Sequence, residues 1–404
     1  MSHKPTITDN LQFSPESKLP SILFGVGAFG LILSLIVFLL NEDLRDQAYF
    51  SYLVSFTFFT GIALSSVFMV MFHHITKSKW GVVVRRIPET FGANIWIWAV
   101  FIIPILLGIH NLYHWSHEDV VAVDKILKAK AAYLNTPFFI IRQVIYFVIW
   151  GYVGHKLYKA SVELEKTGDW GITRLMTKIS APAIPLFSLS IAFAGFDWLM
   201  SLDPHWFSTM FGVYFFAISF QSFWAIMILM VFYLQRNGYL KNTIGQAHIY
   251  DLGAWLFAFT IFYAYIAFSQ FMLIYYANIP EETLWFYNRL EGGFEYIAYG
   301  ILLFRFALPF IVLLNREQKH QRKILLFVGI VVVITHFLEI YWIVMPTMHP
   351  EEAAGLHFSW LDVTTFLGLG GIFFGLFFRQ FKKNSMIPEN DPKLEACLEK
   401  SYHQ

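Results

Sequence analysis

The chain has 404 residues, of which 57% are apolar and only 14% charged, with 44 Phe and a mean hydropathy of +0.53. A soluble globular protein carries about 25% charged residues, so the composition excludes an ordinary soluble domain and points to a bilayer. A formal net charge of +1 gives no case for nucleic acid, and a single cysteine, Cys397, leaves no ligand set for an iron–sulfur cluster and no C-x-x-C-H haem site.

Residues 1–19 are polar and read as a cytoplasmic N-terminal segment. The run 20–40 is long enough to span and should persist as a peripheral helix rather than leave as a signal. Further apolar runs follow at about 48–74, 88–110, 136–157, 176–198, 207–234, 248–276, 294–314, 324–346 and 360–381. They are continuously apolar, and a lipid-exposed backbone must satisfy its own hydrogen bonds. The expectation is an all-α integral membrane protein of ten transmembrane helices, with two four-helix bundles and two peripheral helices. The first bundle covers 48–198 and the second 207–346, with peripheral helix 10 at 360–382 and a polar cytoplasmic tail at 383–404. No G-x-x-x-x-G-K-[ST] motif occurs, so a P-loop ATPase is excluded.

Lys and Arg set the expected orientation. The side holding both termini, Lys4 and Lys400 included, carries 22 of them, and the opposite side 5. Both termini are therefore expected in the cytoplasm. The loop Asp203-Pro204-His205 then faces outward, between Trp198 and Trp206.

The bundles read as copies of one another. Gly92-Ala93 and Gly253-Ala254 are 161 residues apart, and each pair follows an acid, Glu89 or Asp251. The intramembrane Arg142 and Arg305 are 163 apart. The exits "FDWLMSLDPHW" and "IYWIVMPTMHP" share aromatic–Trp, Met, Pro and His, the second ending at His349-Pro350. Four helices per copy keep the copies in one orientation, a parallel repeat.

Ionisable groups at membrane depth are costly and face protein or water. On the outer side the candidate functional residues are Asp197, Asp203, His205, Arg142, Glu291 and Glu295. Deeper lie Arg305, His336 and Glu339 as an intramembrane proton path, the last two sharing one helix face. On the cytoplasmic side are His73, His74, Glu89, His248 and Asp251. Each has an ordinary alternative. Arg305 and Glu339 can neutralise one another, His73 and His74 can snorkel to the interface, and Asp203-Pro204 can be a turn. Only His336 is deep, which disfavours bis-His haem b, and no metal site is expected.

Ten spans and the stretch "FDWLMSLDPHWFSTMFG" resemble the NrfD-like (polysulfide-reductase type) membrane subunits, in the branch found in alternative complex III. "FHHITKSKWGVVVRRIPE" (72–89) and "YLNTPFFIIRQVIYFVIW" (133–150) carry the same resemblance, which runs over about 20–382. It implies a subunit of a quinol:cytochrome c, or other acceptor, oxidoreductase in a bacterial inner membrane. Implied partners are a second NrfD-like membrane subunit, a periplasmic iron–sulfur subunit, c-type cytochrome subunits, lipids and a terminal oxidase. The clusters and c-type haems sit in those partners, and quinone or quinol is the one ligand this chain would meet. In such complexes the quinol site is attributed to the sister subunit, and the shorter subunit, which this chain resembles, is considered as a proton conductor. A secondary transporter is the competing class, with a purely structural scaffold third. A transporter would show Gly- or Pro-interrupted helices at matching places in both halves, and Pro104, Pro182 with Pro185, and Pro309 do not match well.

Overall fold

The computed structural model describes residues 7–348, 355–356 and 358–399; Lys4, Lys400 and His349-Pro350 lie outside them. Among the described residues every regular element is helical. Ten helices are long and apolar enough to cross a membrane: Leu19–Leu40, Glu42–Ile75, Arg86–Leu107, Thr136–Thr167, Gly171–Leu202, Phe211–Arg236, Gln246–Ala277, Phe294–Leu314, Arg322–Thr347 and Trp360–Phe381, numbered spans 1 to 10 below. The two described chain ends meet on one face, where the Met386 N–H donates to the Leu11 carbonyl at 2.7 Å. That face is called the terminal face, and the other the far face.

Local sequence explains the helix ends. Asn135 caps span 4 by accepting from the Phe138 N–H at 2.9 Å, with Pro137 in the first turn. Apolarity alone would end this helix near 157 and place a loop over 158–175. Instead it continues to Thr167, and only 168–170 separate it from span 5. The Lys, Glu, Leu and Ala residues of that stretch are good helix formers. Gly168, at φ +65°, closes the helix.

Span 2 is the centre of the molecule: 94% of its apolar window is buried, against 17% for span 1. It packs on spans 1, 3, 5, 6, 9 and 10. Small residues permit this approach; a Cβ on Gly61 would lie 2.4 Å from Ser219 Oγ of span 6. Spans 1 and 10 pair through backbone. A Cβ on Gly27 would sit 2.8 Å from the Ile372 nitrogen, and one on Gly371 2.5 Å from the Gly27 nitrogen. Span 10 is fixed to span 2 by polar groups: Ser51 Oγ donates to Asp362 at 2.5 Å, and Ser55 and Thr365 hydroxyls meet at 3.1 Å.

Two spans are irregular. Span 3 breaks at Asn94 and again at Ile102, just before Pro104, and there Tyr52 donates to the Phe101 carbonyl at 2.7 Å. Span 8 holds a π-helical segment, Ile301–Ala307, that contains Arg305. Pro309 lacks the N–H that would serve the Arg305 carbonyl in an α-helix. Gln221 of span 6 serves it instead, at 3.1 Å. Under the 161–163 offset span 3 corresponds to span 7, which is continuous from Gln246 to Ala277.

Candidate functional site

Span 4 and the end of span 5 build the first buried cluster. Arg142 grips Asp197 with a fork: Nε to Oδ2 and Nη2 to Oδ1, both at 2.9 Å. Tyr133 donates to Oδ1 at 2.9 Å. Tyr146 and Gln143 donate to Oδ2 at 3.0 and 3.2 Å. The guanidinium lies 3.9 Å from the Tyr133 ring centre, and its Nη1 donates to the Tyr133 carbonyl at 2.8 Å. Asp197 is 0% exposed. Five donated bonds saturate its two oxygens and outweigh the unfavourable helix C-terminal dipole. This is a locked anion.

Spans 8 and 9 build a second cluster on the same plan with looser joints. Arg305 Nε is 2.8 Å from Glu339 Oε2, but off the hydrogen-bond axis, so neither atom has an aligned partner. Both hydroxyls in the cluster go to the other oxygen: Tyr263 donates to Oε1 at 2.8 Å, and Tyr214 donates to it as well. Arg305 Nη2 donates to the Ile218 carbonyl at 2.6 Å and to Ser222 Oγ at 3.1 Å, while Nη1 has no partner. His336 packs against Phe58, ring centres 4.7 Å apart. It is 0% exposed, and neither ring nitrogen has a hydrogen-bond partner.

The two clusters share an arginine, an acid on the next span and two tyrosine hydroxyls. The acids are not aligned in sequence. If Trp198 is set against Trp342, Asp197 falls opposite Tyr341, and Glu339 lies two residues earlier.

On the terminal face His73 and His74 are buried rather than snorkelling. Both nitrogens of His73 and Nε2 of His74 lack partners. A cavity of about 10 Å³ adjoins His73, lined also by Trp80, Gly81, Arg85 and Trp224. Beside it Glu89 binds Arg85 at 2.8 Å and Arg86 at 3.2 Å and accepts from Ser161 at 2.8 Å. Arg86 also pairs with Glu165, and Arg85 with Asp391 at 2.7 Å. His248 Nδ1 accepts from the Gly245 N–H at 3.2 Å, and its Nε2 lies 3.1 Å from the Cys397 carbonyl. Asp251 is buried one turn further on.

The remaining expected residues spread over the far face and do not converge. His205 is exposed and contacts Asp124 at 2.5 Å. That hydrogen bond, with the Leu127 and Ile126 N–H groups, holds the Asp124 carboxyl below its usual range. Asp203 is half-buried. Glu291 is exposed, and Glu295 accepts from the Gly293 N–H at 2.7 Å. Arg289, which the sequence reading passed over, is 1% exposed. Its guanidinium lies 3.8 Å from the Trp285 ring centre, and it donates to the Trp285 and Ile343 carbonyls at 3.0 and 2.8 Å. Burial pushes its pKa down to about 9. It serves the open carbonyl end of span 9. Asp391, Glu165 and Asp362 were also passed over; two lie in segments read as polar loop or tail.

Among the described residues no three His, Cys, Asp or Glu side chains come together as a metal site. No protein-family model matches the sequence, and no curated protein matches it significantly.

Proposed function

We propose that the chain is a membrane subunit of a quinol:acceptor oxidoreductase of the alternative complex III kind, in a bacterial inner membrane, and that its part is to move protons. In this reading spans 2–5 and 6–9 are two four-helix bundles, spans 1 and 10 are peripheral, and both termini are cytoplasmic. The far face is then the outer side. The repeated Arg–acid–Tyr₂ plan supports the two-bundle layout, and the packing of spans 1 and 10 on one another agrees with it.

The observation that carries the reading is the contrast between the two acids. A proton carrier must change charge without unmaking its surroundings. Asp197 accepts five bonds and has no oxygen to spare. Glu339 Oε2 accepts no aligned hydrogen bond and faces Arg305 alone, so a proton there weakens one ion pair, where a proton on Asp197 would have to displace a donated hydrogen bond as well. Further buried polar atoms without protein partners lie on spans 2, 6 and 9: in Thr57, Thr60 and His73 on span 2, Ser219, Gln221 and Trp224 on span 6, and His336 on span 9. Thr57 to His73 is 16 residues of helix, roughly 24 Å at 1.5 Å per residue. Buried polar atoms of this kind are where ordered water is held. Glu89 with Arg85 and Arg86 forms the cytoplasmic end. Asp203 and His205 stand at the outer rim.

Quinol oxidation releases two protons and two electrons. The electrons would pass to iron–sulfur and c-type haem groups of partner subunits, and the quinol site would lie in the sister subunit. The interruptions in spans 3 and 8 do not correspond under the repeat, which favours this reading over a transporter. The test is mild solubilisation and capture through a tag on this chain. The expected product is a complex with c-type haem absorbance, quinol:acceptor activity and no pigment on the separated chain. A colourless, self-sufficient particle would refute it.

A further inference from the structure

The chain's own C-terminal segment packs against Trp80 and Arg85, two residues that line the cavity beside His73. Residues read from sequence as a free polar extension bury Met386, Ile387, Leu394 and Cys397. The segment is tied down along its length. Asn384 donates to Tyr158 Oη at 2.7 Å, Asn390 to the Glu165 carbonyl at 2.6 Å, and Cys397 Sγ to the Trp80 carbonyl at 3.1 Å. Trp80 and Arg85 both line the cavity, and the segment holds both, since Asp391 pairs with Arg85. Lys393 lies within electrostatic reach of His73 and His74. The segment therefore touches the rim of the cavity at two points, one of them a charge pair that a single substitution can cut.

We propose that residues 384–398 form a releasable cap that shields His73 and His74 from the aqueous side, held shut by Asp391 on Arg85. The cap stands on geometry alone; its use as the gate of a cytoplasmic proton entrance rests on the function proposed above. Beside its few buried apolar side chains, the segment is held by short polar ties. The segment can lift without moving a span. Arg85 keeps Glu89 when Asp391 leaves, so opening strands no buried charge. His73, which has no partner in the closed state, then meets bulk water.

Cys397 is the sole cysteine of the chain, so maleimide labelling, read on this chain after its separation from the partner subunits, reports lifting of the cap. The experiment uses the full chain in its native membrane complex and compares wild type, Asp391→Asn and the conservative Asp391→Glu. Diethylpyrocarbonate modification of His73 and His74 is read by peptide mass, with His336 as the control. Asp391→Asn should raise Cys397 labelling and His73/His74 modification together by about tenfold, the low end of what a close charge pair contributes. Asp391→Glu should restore protection, and His336 should stay protected throughout. The cap is overturned if Cys397 becomes reactive while both histidines stay protected, if neither changes, or if His336 reacts as well, since that marks general loosening. Proton uptake by the same vesicles separates the two ideas. An open cap with unchanged uptake keeps the cap and removes the proton entrance.

Discussion

Glu339 and Arg305 are both buried, with 1% and 0% of their surface exposed. Removing one member of such a pair leaves the other charged in a low-dielectric interior, at roughly 3–5 kcal/mol. Arg305→Ala or Glu339→Ala alone should cut the assembled yield and lower the detergent melting point, and the double substitution should regain part of the loss. Additive losses, measured by thermal unfolding of the detergent-solubilised protein, would show the pair to be energetically uncoupled. At Arg142 the geometry predicts a different outcome. Lysine keeps the charge but cannot make the two-pronged contact. Arg142→Lys should therefore cost about 1.5–3 kcal/mol, the value of a hydrogen bond to a charged group, in the same assay. The Arg305–Glu339 pairing could be suspected from sequence because both residues stand out in apolar runs. The Arg142–Asp197 pairing carried a weaker signal. The two arginines are 163 residues apart, and under the repeat read from sequence an acid on span 9 beside Arg305 would have pointed to one on span 5 beside Arg142. The acids' two-residue offset concealed it.

At the level of elements, the ten spans were legible because length and hydropathy alone decide them. The polar extension of span 4 to Thr167 was not, because hydropathy is silent about helix that has left the apolar layer. The π segment of span 8 depends on a donor from another helix: Pro309 withholds its N–H, and Gln221 supplies one across the bundle. Nothing near Pro309 in the sequence shows that. The C-terminal cap was missed for a similar reason. Its composition is polar, while Met386, Ile387, Leu394 and Cys397 turn inward. Span 1 offers a direct test of packing by backbone contact. Gly27→Val must push against the backbone of span 10, whereas Gly25 faces nothing within 4 Å. Gly27→Val should detach span 1 from span 10 and lower thermal stability by about 1–3 kcal/mol, as overpacking does. Gly25→Val should leave the melting point unchanged. Equal behaviour of the two variants would mean that the close contact is not what holds span 1.

Across the whole molecule, charge is arranged in two ways. Asp197 is held by everything around it, and Glu339 is held on one side only. The proposed work of the chain depends on that difference, because the two acids stand in clusters of the same make-up, each with an arginine and two tyrosine hydroxyls. The decisive measurement is proton release coupled to quinol oxidation by the assembled complex in liposomes, with Glu339→Gln compared against Asp197→Asn. Both variants must first be shown to assemble with their full haem content. Glu339→Gln should lower coupled proton movement by roughly 100-fold, within the range expected for loss of a general acid–base group. Asp197→Asn should weaken the complex to heat yet leave the protons released per electron unchanged. Full coupled proton release by an assembled Glu339→Gln complex would contradict the account.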